Sequence, residues 1–310
     1  MTRKPRILIL GLPYFGKMIA SQLRERGWRA EYAAHPGRDA QAWLRLGPKV
    51  LASDVLYLIS SRLDRGSPQA RMMQVRRKPV VVHWVGTDVL IAREAYERQI
   101  VSARLAEDAT HWCDAPWLVD ELRAMGIRSE YVPLPVSIAR NEPAPLPETF
   151  RVLLYLPVDA FDREVFDMAA LLALPGELPE VDFTLIPSPA DTLPGPLPPN
   201  LDARGWIEDM EALYRDITVY VRLTSHDGMS FMALEALSRG RYVIWTNPLE
   251  GAIQTSGLAN VAGVLRQLKE SHDEGRLTLN ESGRSSVLQH FDEDRDLAEL
   301  DARLRDVLRA

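Results

Sequence analysis

Cysteine is nearly absent from this chain: Cys113 is the only one in 310 residues. A lone thiol excludes an intrachain disulfide and any cysteine-based metal cluster, and it points to a reducing, cytoplasmic setting. No apolar run approaches the ~20 residues that a bilayer-spanning helix needs. The opening Met1-Thr2-Arg3-Lys4-Pro5-Arg6 runs into a short strand and not into a secretory leader. Histidines are few and scattered, so no metal ion is expected. No basic stripe is interleaved with aromatics, so nucleic acid is not an expected partner. What is present, 46% hydrophobic and 26% charged residues, is the mixture of a soluble globular protein, and 310 residues exceed one ordinary core.

The stretch GLPYFGKM, residues 11–18, nearly reads G-x-x-x-x-G-K-[ST], the phosphate-cradling loop of nucleoside triphosphatases. Met18 stands where that loop needs a hydroxyl for Mg²⁺, and Pro13 removes an amide donor from a loop whose task is to offer them. GLPYFG also lacks the G-x-G-x-x-G of a dinucleotide-dependent dehydrogenase. What remains is a glycine turn between an apolar strand (7–10) and an amphipathic helix (15–26), the opening βα unit of a nucleotide-binding sheet.

Short apolar runs alternate with helical periodicity along the chain, the mark of a doubly wound α/β layer. In the first half, strands are predicted at 7–10, 31–34, 55–59, 79–84, 110–113 and 131–133, and helices at 15–26, 91–105 and 117–125. Residues 134–149 hold four prolines and no periodicity, which reads as an interdomain linker. A second series follows, with strands at 151–156, 181–186, 201–204, 218–223 and 241–246 and helices at 163–174, 210–214 and 231–239. The tail from 294 reads as a charged amphipathic helix. The expected architecture is α/β: two Rossmann-like domains facing a cleft. They are residues 1–140, joined by the C-terminal helix 294–310, and residues 150–293, with the ligand beyond the carboxyl ends of the strands.

Charge is uneven. Residues 1–90 carry 16 Lys+Arg against 6 Asp+Glu, a net of +10, so the total of −6 leaves −16 for residues 91–310. Two readings stand: solvated helix faces, or a basic first domain in peripheral contact with an anionic membrane or a phosphorylated acceptor. Arg71, Arg76, Arg77 and Lys78 are its densest cluster.

The most informative stretch is VRLTSHDGMSFMALEALSRGRYVIWTNP, residues 221–248. A strand ends at Leu223 and a polar loop, 224–228, follows. Ser230 is placed to cap a helix starting at Phe231, whose free amides and positive dipole end suit a phosphate. Gly228 has no Cβ where a ligand would approach the backbone. The helix is almost wholly apolar, yet Glu235 lies inside it, and such a carboxylate needs strong donors. A sugar diol supplies two hydroxyls. Asp227 lies eight residues earlier, roughly one to two helical turns away. One ligand can therefore touch Asp227, the helix N-terminus and Glu235 in turn, the order of hydroxyl, phosphate and hydroxyl in a nucleotide-sugar. The alternative is that Glu235 caps a backbone group or pairs with Arg239 or Arg241.

These residues resemble the retaining GT-B-fold glycosyltransferases that use nucleotide-sugars (glycosyltransferase group 1, family 4-like). That family carries an acidic residue, seven intervening residues and a glutamate, here Asp227 through Glu235, with aspartate in the place usually held by glutamate. The resemblance implies that Asp227 touches the transferred sugar, that Gly228, Met229 and Ser230 lie by sugar and phosphate, and that Glu235 holds the ribose. GLPYFGKMIASQLRERGWRAEY is similar to the family's first glycine loop and helix, which turns Gly11 and Gly16 toward donor and acceptor. VVVHWVGTDV is similar to its strand-end histidine, which puts His83 near the sugar with Gly86 and Asp88 beside it; a histidine with only a packing role is the alternative. Gly205-Trp206-Ile207 would flank the base, unless Trp206 is core. After the first strand of the second domain the family has an arginine and, five residues later, a lysine, both on the diphosphate. Here Val158 stands at the first place and Arg163 at the second, with Arg222 as a candidate for the missing charge.

The implied reaction moves a sugar from a nucleotide-diphosphate sugar to an acceptor hydroxyl with retention at the anomeric carbon. The acceptor is a sugar, a lipid-linked or a small molecule, and no cofactor or metal takes part. Two readings compete. One is a degraded GT-B module that binds a nucleotide-sugar or a partner without turnover, favoured by the missing arginine. The other is an NAD(P)-dependent Rossmann enzyme, disfavoured by the glycine pattern.

Overall fold

The computed structural model describes residues 4–36, 39–75 and 78–309. Arg76 and Arg77 of the basic cluster lie outside the described residues, while Arg71 and Lys78 are exposed. The chain forms two compact units: Met1–Pro135 with Glu293–Ala310, and Val136–Asp292.

The first unit runs β1 (Arg6–Gly11), α1 (Pro13–Glu25), β2 (Arg29–Ala34), α2 (Ala40–Ala52), β3 (Val55–Ile59), α3 (Pro68–Val75), β4 (Val80–Trp84), α4 (Thr87–Glu97), α5 (Ala103–Asp108), β5 (Thr110–Cys113), α6 (Pro116–Ala124) and β6 (Ser129–Tyr131). Its strands are parallel in the order β2-β1-β3-β4-β5-β6. Every residue of β3 and β4 is buried, which is why both read as unbroken apolar runs.

Winding reverses between β1 and β3. There Gly11 has φ +127°, and a Cβ on it would lie 1.7 Å from the Ile59 carbonyl oxygen, so only glycine fits. A Cβ on Gly16 would lie 2.4 Å from the ring of Tyr32, whose hydroxyl donates to the Gly11 carbonyl at 3.1 Å.

The second unit runs β7 (Arg151–Leu156), α7 (Ala160–Val165), α8 (Met168–Glu177), β8 (Asp182–Pro187), β9 (Leu201–Ala203), α9 (Met210–Asp216), β10 (Val219–Arg222), α10 (Phe231–Ser238), β11 (Tyr242–Trp245), β12 (Ile253–Gln254), α11 (Leu258–Asp273) and α12 (Glu281–His290). Its parallel order is β12-β11-β10-β7-β8-β9. Counted from β7, that is the 3-2-1-4-5-6 arrangement of dinucleotide-binding sheets, with the reversal between β7 and β10.

The final helix, α13 (Glu293–Arg309), belongs to the first unit. It buries Leu297, Leu300 and Leu304. Asp301 accepts from the Trp28 indole at 2.6 Å and Glu293 from Gln22 at 2.9 Å.

Two predicted helices are each broken in two. The 91–105 pattern splits into α4 and α5, because Gln99 turns left-handed at φ 56° and Val101 bridges to Asp64. Ser102 then accepts from the Leu105 amide to start α5. The 163–174 pattern splits into α7 and α8 at Asp167, φ 30°, whose carboxylate accepts from Ala170 N at 3.2 Å. Four helices, α2, α3, α11 and α12, occupy segments where no element was expected. Residues 134–149 carry neither helix nor strand.

Candidate functional site

In an open parallel sheet, ligands bind outside the carboxyl ends of the strands at the point of reversal. In the second unit that point lies between the loops after β7 and β10. The Arg163 segment follows the first of these loops, and Asp227 and α10 follow the second.

The β10–α10 loop is tied down from within. Asp227 and Arg222 form a buried two-pronged ion pair: Nη2 donates to Oδ1 at 2.9 Å and Nε donates to Oδ2. Arg222 Nη1 also donates to the Tyr220 hydroxyl at 3.2 Å. The guanidinium lies 5.3 Å from the Tyr155 ring centre and 4.7 Å from that of Phe166. Burial opposes its charge, but the Asp227 carboxylate and Tyr220 outweigh burial and raise its pKa. Arg222 therefore fixes a carboxylate.

Gly228, Met229 and Ser230 are buried at the foot of α10. Ser230 Oγ accepts from Ala233 N at 3.2 Å, the cap expected from sequence. The helix buries Ala233, Leu234, Ala236 and Leu237 and leaves Glu235 half-buried. One oxygen of Glu235 accepts from the Tyr214 hydroxyl at 2.7 Å. Burial raises the Glu235 pKa, with the Tyr214 bond and the Arg239 charge pulling the other way. Arg239 lies over the Tyr214 ring at 4.8 Å. It donates to the Glu235 backbone carbonyl at 2.9 Å and, by two bonds, to the Glu211 carboxylate. Arg241 donates to the carbonyls of Tyr214, Ala144 and Pro145. A tyrosine, and no guanidinium, thus holds the Glu235 carboxylate.

Arg163 reaches back to neutral oxygens: the Pro157 carbonyl at 2.9 Å, the Thr192 carbonyl at 2.8 Å, and the hydroxyls of Ser188 and Thr192, both at 2.9 Å. It joins the β7–α7 loop to the segment after β8. Val158, at the place of the missing arginine, is exposed. Pro189 bridges to Arg204, which ties the segment after β8 to Gly205-Trp206. Trp206 is 75% exposed, so it is not core.

In the first unit, His83 is completely buried. Its Nδ1 bonds the Tyr57 hydroxyl at 2.6 Å, and its ring meets Trp112 edge-on. Burial lowers its pKa to about 3, so the imidazole is neutral and is walled in by β3 and β5. Gly86 starts α4 at φ 124°. The buried Asp88 accepts from Val85 N and Val89 N, both at 3.1 Å, and so braces that turn. Gly11 lies at the β1–β3 reversal, and Gly16 on α1.

Several contributors gave no signal in the sequence. Tyr214 lies inside the short helix α9, Tyr155 lies in β7 and Phe166 between α7 and α8, and Ser188 and Thr192 lie in a proline-rich loop. Each acquires its role only through tertiary placement. Among the described residues, no group of three or more His, Cys, Asp or Glu could hold a metal ion, and no helix is long and apolar enough to cross a membrane.

No protein-family model matches this sequence, and no curated protein does. Solved structures do match it in fold. A sucrose-phosphate synthase from Thermosynechococcus elongatus superposes with a TM-score of 0.72 at 13% identity, over 98% of this chain and 99% of that one. The pneumococcal O-GlcNAc transferase GtfA, solved with UDP and GlcNAc, gives 0.60 at 13% identity over 88% of this chain; the match spans 61% of that longer protein. The glycosyltransferase SnogD from Streptomyces nogalater gives 0.52 at 18% identity over 99% of this chain and all of that one. These identities speak to architecture: the chain has the two-sheet α/β fold of the GT-B glycosyltransferases.

Proposed function

We propose that this protein is a glycosyltransferase that moves a sugar from a nucleotide-diphosphate sugar to an acceptor hydroxyl with retention. The second unit binds the donor. Glu235, with one carboxylate oxygen anchored by Tyr214, accepts from the ribose diol; this anchored carboxylate is the observation that carries the reading. The amides at the start of α10 meet the diphosphate, Asp227 receives a hydroxyl of the transferred sugar, and the exposed Trp206 stacks on the base. The bond from the anomeric carbon to the diphosphate breaks, the bond to the acceptor oxygen forms, and the acceptor proton leaves with the diphosphate. The first unit, through its Gly11 and Gly86 turns, takes the acceptor. No divalent cation is needed in this scheme, since protein groups receive the departing charge.

A second reading is favoured by Val158 and by the engagement of Arg222 with Asp227: a module that binds the donor without turning it over. A thermal-shift screen of nucleotides tests what the two readings share. A nucleotide at about a hundredfold over its dissociation constant adds roughly 2.7 kcal/mol of stability, and Glu235→Ala should abolish that shift. Donor hydrolysis or transfer by wild type, lost in Glu235→Ala, then separates enzyme from module.

A further inference from the structure

We propose that the first unit carries a surface for peripheral binding to anionic lipid bilayers, formed by α2 and the adjoining starts of β1 and β2. On α2, Leu44, Pro48 and Leu51 recur at i, i+4 and i+7 and so share one face. The two leucines are 77% and 60% exposed. Arg45 and Lys49, one position further on, form an exposed basic stripe beside them.

An open pocket adjoins the C-terminal end of this stripe. Pro48 and Lys49 line it together with Arg6, Arg24 and Arg29. Arg6, Arg29 and Arg45 form no ion pair with any described residue. Lys78 donates to the carbonyls of Leu51 at 3.3 Å and Ser53 at 3.1 Å, which adds a cation at the end of α2. Glu31, paired with Lys49, and Asp54, 3.8 Å from Lys78, offset part of this charge.

Exposed leucines flanked by arginines that pair with no described carboxylate match an anionic bilayer. The apolar side chains enter the boundary between headgroups and acyl chains, and the cations meet lipid phosphates. Two leucines and a proline among cations are a small apolar area for a protein interface. The pocket and the C-terminal half of α2 lie at the amino ends of β1 and β2, whereas Gly11, His83 and Gly86 lie at the carboxyl ends of their strands. The surface is thus separate from the groups assigned to transfer and does not depend on that assignment.

Co-sedimentation with vesicles tests it, using phosphatidylcholine alone and phosphatidylcholine with about three parts in ten phosphatidylglycerol. The wild-type protein is expected to sediment with the anionic vesicles and to be released by salt. Arg29→Gln with Arg45→Gln should weaken binding about fivefold per charge. Leu44→Ser with Leu51→Ser should weaken it roughly tenfold or more. All four side chains are exposed, so melting temperatures should stay near wild type. No sedimentation, equal sedimentation on neutral vesicles, or binding that neither pair of substitutions lowers overturns the proposal. So does a concentration-dependent dimer that the serine pair dissolves, which would give the stripe to a second copy. Nucleotide-induced thermal shifts on the same samples report on the donor site separately.

Discussion

Replacing Asp227 with asparagine keeps the side chain's shape and removes its charge. Arg222 would then hold a guanidinium between Tyr155 and Phe166 without its counter-charge, against the Tyr220 hydroxyl and one neutral amide oxygen. The two side chains of the pair are 11% and 10% exposed, deep enough for the cost of breaking a buried pair, about 3–5 kcal/mol. That cost arises from the orphaned charge and not from the net worth of the pair, so Arg222→Met combined with Asp227→Asn should recover much of it. Against a native stability of roughly 5–15 kcal/mol the single substitution is severe. At ~2–4 °C per kcal/mol for a unit of this size, it lowers the melting temperature of the second unit by about 6–20 °C. Scanning calorimetry of the wild-type, single and double variants reads this directly. An Asp227→Asn protein that melts within about 1 kcal/mol of wild type would refute the reasoning, because the carboxylate would then be no structural tie.

Four further outcomes are expected. Burial raises the Glu235 pKa above the ordinary 4.5, so the folded state gains stability from protonation there. That gain is complete below the ordinary value and lost as pH rises through the raised one; Glu235→Gln should therefore stabilise the second unit at neutral pH and not in acid, in urea titrations across pH. In the proposed scheme the Glu235 carboxylate accepts from the ribose, so nucleotide binding should weaken as pH falls through the same raised pKa. Gly11→Ala would drive a Cβ into the Ile59 carbonyl at φ +127°; a loss above about 2 kcal/mol is expected, and an unchanged urea midpoint of the first unit would contradict the close approach. His83 and His111 are held neutral by burial, with pKa values lowered to about 3 and about 4. Their contribution is fully present above the ordinary 6.5 and is lost as pH falls below it, so His83→Asn should flatten the acid slope of first-unit stability.

The inner strands of both sheets were legible because buried parallel strands leave continuous apolar runs, as in VLYLI and VVVHW, whereas the two-residue edge strand β12 was not expected. The Ser230 cap was legible because capping is local. Helix continuity was not: periodicity runs across Gln99 and Asp167, where a strand bridge and a left-handed turn override it. At the site, the residue types could be read but not their partners. The 222–227 pairing joins a strand end to a loop, and the Tyr214–Glu235 bond spans 21 positions, distances at which a pattern carries no register. The glycines of GLPYFG answer to the Ile59 backbone and the Tyr32 ring, neither of which the local motif contains.

The choice between turnover and binding rests on where positive charge remains at the β7–β10 reversal. Valine occupies position 158, and Arg222 is neutralised by Asp227. Arg163 differs from both: four of its N–H bonds go to neutral oxygens, so its charge is held in place but not cancelled. A fixed charge of this kind acts through its field. At a distance of ~6 Å and an effective dielectric constant of ~20 it is worth about 3 kcal/mol toward a developing negative charge. Preorganisation is what leaving-group stabilisation requires, because nothing need rearrange as the bond breaks. In the proposed reaction the missing arginine lowers the rate that the site can support without removing its electrostatic basis, and contact with the diphosphate passes to the amides of α10. That helix carries backbone amides at its start and, just over one turn later, the carboxylate that Tyr214 holds. In the proposed complex one rigid element thereby sets the spacing between diphosphate and ribose.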